Sequence, residues 1–136
     1  MTEKDERYRE RGYVRLWRGF QDDPIYKKRR RFSQWEAWEW LYMEARGVAA
    51  EINFRRTRLK LERGQLITSQ RELARRWRWT RGSVENFLRK LQRRGSIAIE
   101  TLRQKRGFSI VTLLKFAELN PCGEDDLSHS QQRKKP

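Results

Sequence analysis

Between residues 71 and 93 the chain carries Arg71, Arg75, Arg76, Arg78, Thr80, Arg81, Gly82, Ser83, Asn86, Arg89, Lys90 and Arg93. A second basic cluster, Arg103, Lys105 and Arg106, sits within four residues further on. Guanidinium and ammonium groups bind phosphate, and such contacts carry most of the sequence-independent affinity of a nucleic-acid binder. Arg also reads guanine bidentately, and Asn pairs with one edge of adenine. Ser83 offers a short hydroxyl for a base edge, and Gly82 lets the backbone approach closely. The chemistry open to this set is polyanion recognition. Arg71, Arg75, Arg76 and Arg78 would hold phosphates and set position, Ser83 and Asn86 would read base edges, and Arg81 and Arg89 would read guanine or hold phosphate.

The sequence offers little for other chemistry. Cys122 is the one cysteine and His129 the one histidine of 136 residues. An internal disulfide, a His/Cys metal cage and the common Cys/His or Ser/His/Asp catalytic sets all need more. Glu36, Glu39 and Glu44 fall on one helical stretch beside Trp side chains and read as solvent-face charges. The expectation is a binding protein with no enzyme activity, cofactor, metal or small-molecule substrate. No apolar run approaches the ~20 residues of a membrane span. The first residues, MTEKDERYRERG, lack the apolar region of a secretory signal. A cytoplasmic or nucleoid location in a bacterial cell is expected, with no membrane partner.

The charge is unevenly placed. Lys plus Arg number 33 against 18 Asp plus Glu, a net +15. Residues 63–107 hold 13 basic and 3 acidic groups, whereas residues 32–62 and 108–136 are neutral in sum. A generally basic composition would spread the excess; a phosphate-binding face concentrates it. Six Trp, six Phe and four Tyr supply a small aromatic core despite only 36% hydrophobic residues.

The elements that must position these groups can be read in order. Residues 1–11 form a charged arm and residues 121–136 a polar, disordered tail. Residues 12–120 form the domain between them. Tyr13 to Arg18 alternates as a short strand or extended arm, and Asp22-Asp23-Pro24 is a turn. Lys27 to Arg31 is a basic run, either a solvated loop or a backbone-contacting patch. Ser33 with Glu36 is a capping box that opens a helix to about Arg46. Its apolar side should be Trp35, Trp38, Leu41, Tyr42 and Ala45, with Trp40 and Met43 off that side. Residues 52–61 read as a strand, with Leu59 and Leu61 on one face. After a turn at residues 62–64, residues 65–68 return as a short strand. Ser69 with Glu72 is a second capping box, opening a short helix over 70–77. Thr80 caps a second over 81–94, with Val84, Phe87, Leu88 and Leu91 inward and Gly95 ending it. Residues 96–101 and 108–114 are strands around the basic turn at 102–107. Trp35, Trp38 and Trp77 are expected in the core.

Helix, strand, helix, helix, strand, basic turn, strand is the order of an α+β winged helix-turn-helix, here with an N-terminal extension and a β-hairpin wing. In that architecture the second helix of the pair enters the major groove. Arg103, Lys105 and Arg106 at the wing tip reach the adjacent minor groove or backbone. Residues 12–119 resemble the N-terminal winged-helix domain of DnaD-like and phage replisome-organiser proteins. The resemblance rests on GYVRLWRGFQDDPIY, FSQWEAWEWLYMEA, LERGQLITSQRELARRW and TRGSVENFLRKLQRRGSIAIE, above all on RGQLITS leading into the first helix of the pair. It implies origin or operator binding and self-association through the N-terminal elements and wing, with other replication proteins as partners. The family usually has Gly in the helix-pair turn; here that position is Arg78. Its members generally carry a further C-terminal domain. Only residues 121–136 follow here, so a stand-alone or reduced initiator is expected. The function expected is duplex-DNA binding, sequence-specific, in phage or mobile-element replication initiation or its regulation. The alternatives are a transcriptional regulator, or an inhibitor module that uses a winged helix to engage a protein.

Overall fold

Asp23 and Pro24 divide the N-terminal segment into two short helical pieces. The computed structural model describes residues 16–27, 30–103 and 105–119. A 3₁₀ turn over Arg18–Asp22 ends at Asp23. The Asp23 carboxylate accepts from the Ile25 amide at 2.8 Å, and Pro24 opens the four-residue helix α1, Pro24–Lys27, where its missing N–H leaves no bond unmade. Tyr13, Val14 and Arg15 of the expected strand or arm lie outside the described residues, and Arg18 is helical, not extended. Its guanidinium donates to the carbonyls of Met43 and Ala45, both at 2.7 Å.

Those two carbonyls belong to the end of α2, Gln34–Glu44. Both bonds of the expected capping box are made at its start: the Ser33 hydroxyl accepts from the Glu36 amide, and the Glu36 carboxylate accepts from the Ser33 amide. Arg30 pairs with the same carboxylate. Burial pushes the Glu36 carboxyl up, but the Ser33 and Arg30 contacts outweigh it and hold it below its usual value. The helix stops two residues before the expected Arg46. Arg18 occupies carbonyls at its C-terminus that lack a helical partner, and the Arg46 amide donates instead to Gln65.

The buried side of α2 also differs from the spacing argument. Ala37, Leu41 and Met43 are buried, with Ala45 just beyond, while Trp35 is 68% exposed. Trp38, Trp40 and Tyr42 pack half-buried around the core. The fully buried Ala37 lets the helix approach closely, which turns the contact side away from Trp35. An apolar count weighted by large rings misses that role of a small residue.

Residues 52–61 are two strands, not one. β1, Ala50–Phe54, and β2, Thr57–Leu61, pair antiparallel with Phe54 opposite Thr57. Arg55 and Arg56 turn the chain with φ of 47° and 69°. A two-residue turn with both φ positive suits the strand twist, but Asn-Gly is its usual sequence. Left-handed backbone at a non-Gly residue costs roughly 1–2 kcal/mol, so nothing in Arg-Arg signals this hairpin.

The second sheet is built as expected. β3, Gln65–Thr68, pairs with β5, Ser109–Leu113, and β5 with β4, Ile97–Thr101, giving the antiparallel order β3-β5-β4. Between β3 and β4 stand α3, Gln70–Trp77, and α4, Arg81–Arg93. A short helix α5, Phe116–Leu119, follows β5. Its Phe116 is buried and lies against Gly64, where a Cβ would meet the Phe116 Cβ at 2.9 Å. The fold is α+β, with two small antiparallel sheets and a core from Phe32 to Phe116. This arrangement is compatible with a winged helix.

Candidate nucleic-acid interface

Three residues join α3 to α4, and each has a definite task. Arg78 takes φ 55° and ψ 44°, the left-handed conformation, and its amide donates to the Ala74 carbonyl. The residue type departs from the expected Gly, but the conformation is retained. Trp79 turns inward; its indole N–H donates to the Phe32 carbonyl at 2.7 Å. Thr80 accepts from the Ser83 amide at 3.1 Å and caps α4. Ser69 does the same for α3 by accepting from the Glu72 amide, but the return bond from the Ser69 amide to the Glu72 carboxylate, the other half of the expected capping box, is not made.

Four rings set the angle between these helices. Trp77 is fully buried, with ring centroids 5.9 Å from Trp40, 5.0 Å from Trp79 and 5.9 Å from Phe87, all near edge-to-face. Trp79 meets Phe87 at 5.3 Å. Such pairs add roughly 0.5–1.5 kcal/mol each beyond area burial. The cluster therefore ties α2, α3, the turn and α4 into one unit.

With Val84, Phe87, Leu88 and Leu91 buried, the opposite side of α4 is determined by the helical period. Gly82, Asn86, Arg89 and Arg93 form its outermost line, and all are exposed. Arg81 and Lys90 flank it, also exposed. The Asn86 amide has no hydrogen-bond partner among the described residues. Arg89 pairs with Glu85 one turn back at 2.8 Å. Both are about half exposed, and such a pair is worth only ~0.3–0.5 kcal/mol, so a phosphate or base edge can displace it. Lys90 reaches the Gln34 amide oxygen at 3.4 Å.

Ser83 differs from its neighbours. It is half-buried, and its hydroxyl accepts from Thr80 at 2.9 Å. It builds the start of α4, whereas Asn86 is left without an intramolecular partner among the described residues.

Arg71, Arg75, Arg76 and Arg78 are exposed around α3 and its turn. The Arg76 guanidinium lies 5.9 Å from the Phe32 ring centre. Arg103 and Arg106 are exposed in the turn between β4 and β5, and Lys105 is half-buried. An open cleft of about 470 Å³ runs beside α4. Phe32, Trp79 and Phe87 form its apolar wall, and Arg31, Gln34, Asn86 and Lys90 its polar edge. Arg31 belongs to the basic run that the sequence left open as a solvated loop or a contacting patch, whereas Phe32 and Gln34 were not among the expected contact residues; the bond from Trp79 that places Phe32 there has no sequence signal.

No protein-family model, curated protein or solved structure matches this chain. The functional reading therefore rests on the geometry and chemistry of the site. Among the described residues no group of His, Cys, Asp or Glu is placed to hold a metal, and no helix is long and apolar enough to cross a membrane.

Arg78 makes a direct test of what the turn is for. Arg78→Gly removes a strained left-handed side chain, worth roughly 1–2 kcal/mol, against an entropic loss of roughly 0.5–1 kcal/mol for Gly. The expected result is a thermal midpoint equal to or a few degrees above wild type. A variant less stable than the parent would show that the Arg78 side chain supports the fold.

Proposed function

We propose that the chain is a winged helix-turn-helix that binds duplex DNA. In this reading α4 enters the major groove, and Arg71, Arg75, Arg76 and Arg78 hold flanking phosphates. The hairpin formed by β4 and β5 is the wing, which sets Arg103, Lys105 and Arg106 on the neighbouring backbone or minor groove. The observation that carries the reading is the outer line of α4. Gly82, Asn86, Arg89 and Arg93 stand exposed on a helix whose opposite side is buried against a rigid ring cluster. The groove of B-DNA admits such a helix, and these are residue types that meet bases and phosphates. The +10 carried by residues 63–107 falls on these same elements.

Replication initiation or its regulation in a phage or mobile element is the role we favour, on the resemblance of residues 12–119 to replisome-organiser domains. A second reading, a protein-interaction module or self-associating subunit, is favoured by the apolar side chains left exposed near the N-terminal turn. Trp17 is 73% and Ile25 77% exposed there. A gel-shift titration against genomic fragments separates the readings. Selective shifts support sequence-specific binding, uniform shifts a nucleoid-type binder, and none the interaction module.

A further inference from the structure

We infer that the β1–β2 hairpin is a second DNA-contacting prong, with Arg55 and Arg56 placed on phosphates beside the wing; this rests on the duplex-binding reading above. The first observation is position. Phe54, at the last pair of the hairpin, meets Phe108, at the base of the wing turn, with centroids 4.9 Å apart. The Arg55 guanidinium lies 4.6 Å from the Phe108 ring centre and 5.6 Å from that of Phe54. Phe108 in turn closes the wing turn: its carbonyl accepts from the Leu102 amide and its amide donates to the Lys105 carbonyl. The end of this hairpin is thus held against the base of the wing turn through the Phe108 ring. In this reading Arg55 and Arg56 add two cations to Arg103, Lys105 and Arg106 of that turn.

The second observation is charge pairing. The hairpin's carboxylate Glu51 faces Arg58 at 3.5 Å, and Glu62, just past β2, faces Lys60 at 3.4 Å. Neither pair involves Arg55 or Arg56 at the tip. Arg55 and Arg56 are exposed and have no carboxylate partner among the described residues. The neutral sum over residues 32–62 conceals this, because three of its five acids, Glu36, Glu39 and Glu44, lie on α2 and the other two face Arg58 and Lys60.

The third is the backbone. Both tip residues hold positive φ, where Asn and Gly are favoured. Strained residues at an exposed tip persist where the side chain serves a contact. Guanidinium groups there fit a phosphate ladder running past the wing.

The test measures duplex affinity against salt between about 50 and 200 mM, a range over which each lost phosphate contact lowers the log-log slope by about 0.9. Arg55→Asn with Arg56→Gly removes both charges and installs the preferred turn residues, so the fold is retained. Its slope is expected to be shallower by about 1.8, with affinity at least about tenfold weaker near 0.1 M salt. Arg56→Gly alone leaves the Arg55 ring contacts intact and is expected to lose about 0.9. Arg56→Lys keeps the wild-type slope. If the wild type is steep and the charge-removed variants match it, the hairpin only braces the wing and the proposal is overturned, while duplex binding stands. If the wild type itself shows a slope near zero, the duplex reading fails and the proposal fails with it.

Discussion

Trp77→Ala is expected to destabilise the protein by about 3–5 kcal/mol, the cost of emptying a large aromatic site. A domain of this size has roughly 5–15 kcal/mol in total, so the variant should lose a large fraction of its stability. The ring is fully buried and touches Trp40, Trp79 and Phe87, which belong to α2, the turn and α4. No single neighbour can collapse into the space without moving a helix. Trp77→Phe should be far milder, about 1–2 kcal/mol. The indole N–H is buried with no partner among the described residues, and deleting an unpaired donor recovers part of what the lost volume costs. Urea unfolding of both variants checks this. An alanine variant within about 1 kcal/mol of wild type would mean that the ring cluster does not hold the helix pair.

Asn86→Ala should cost about 1–3 kcal/mol on a selected target, roughly 5- to 150-fold in affinity, with binding to unrelated duplex almost unchanged. The side chain stands on the outermost line of α4 with no intramolecular bond to give up, so its amide is available to a base edge. Arg75→Ala is the contrast. It is exposed on α3 and would touch phosphate, so it should weaken target and non-target DNA alike. Fluorescence anisotropy with both duplexes distinguishes the two patterns. Identical behaviour of the two variants would contradict the placement of α4 in the groove.

Much of the fold was legible because local signals agreed with tertiary ones. Ser33, Ser69 and Thr80 each precede an apolar period of the right length, and each is found capping a helix. Val84, Phe87, Leu88 and Leu91 lie inward because four residues at that spacing leave one choice of side. The failures share a cause. Trp35 reads as core by spacing, yet the contact side of α2 is decided by Ala37, whose value lies in being small. Arg55-Arg56 reads as the middle of a strand, because a turn that tolerates left-handed Arg has no local signature. The early end of α2 depends on Arg18, 25 residues from the Met43 carbonyl that it caps.

The candidate site was legible to a similar depth. The cations of α3 and α4 and Asn86 are exposed where the helical period puts them, while Lys105 in the wing turn is half-buried. Ser83 was not separable from its neighbours, since only the Thr80 hydroxyl shows that it is occupied. The pairing of Arg89 with Glu85 follows the i,i+4 rule and could be read directly. The cleft beside α4 could not, because it depends on Trp79 reaching the backbone of Phe32.

The most direct test of duplex binding by this basic surface is the salt dependence of the wild-type dissociation constant on double-stranded DNA. If about six to eight of its cations neutralise phosphates, log affinity should fall against log salt with a slope of roughly −5 to −7. A slope near zero would contradict the account.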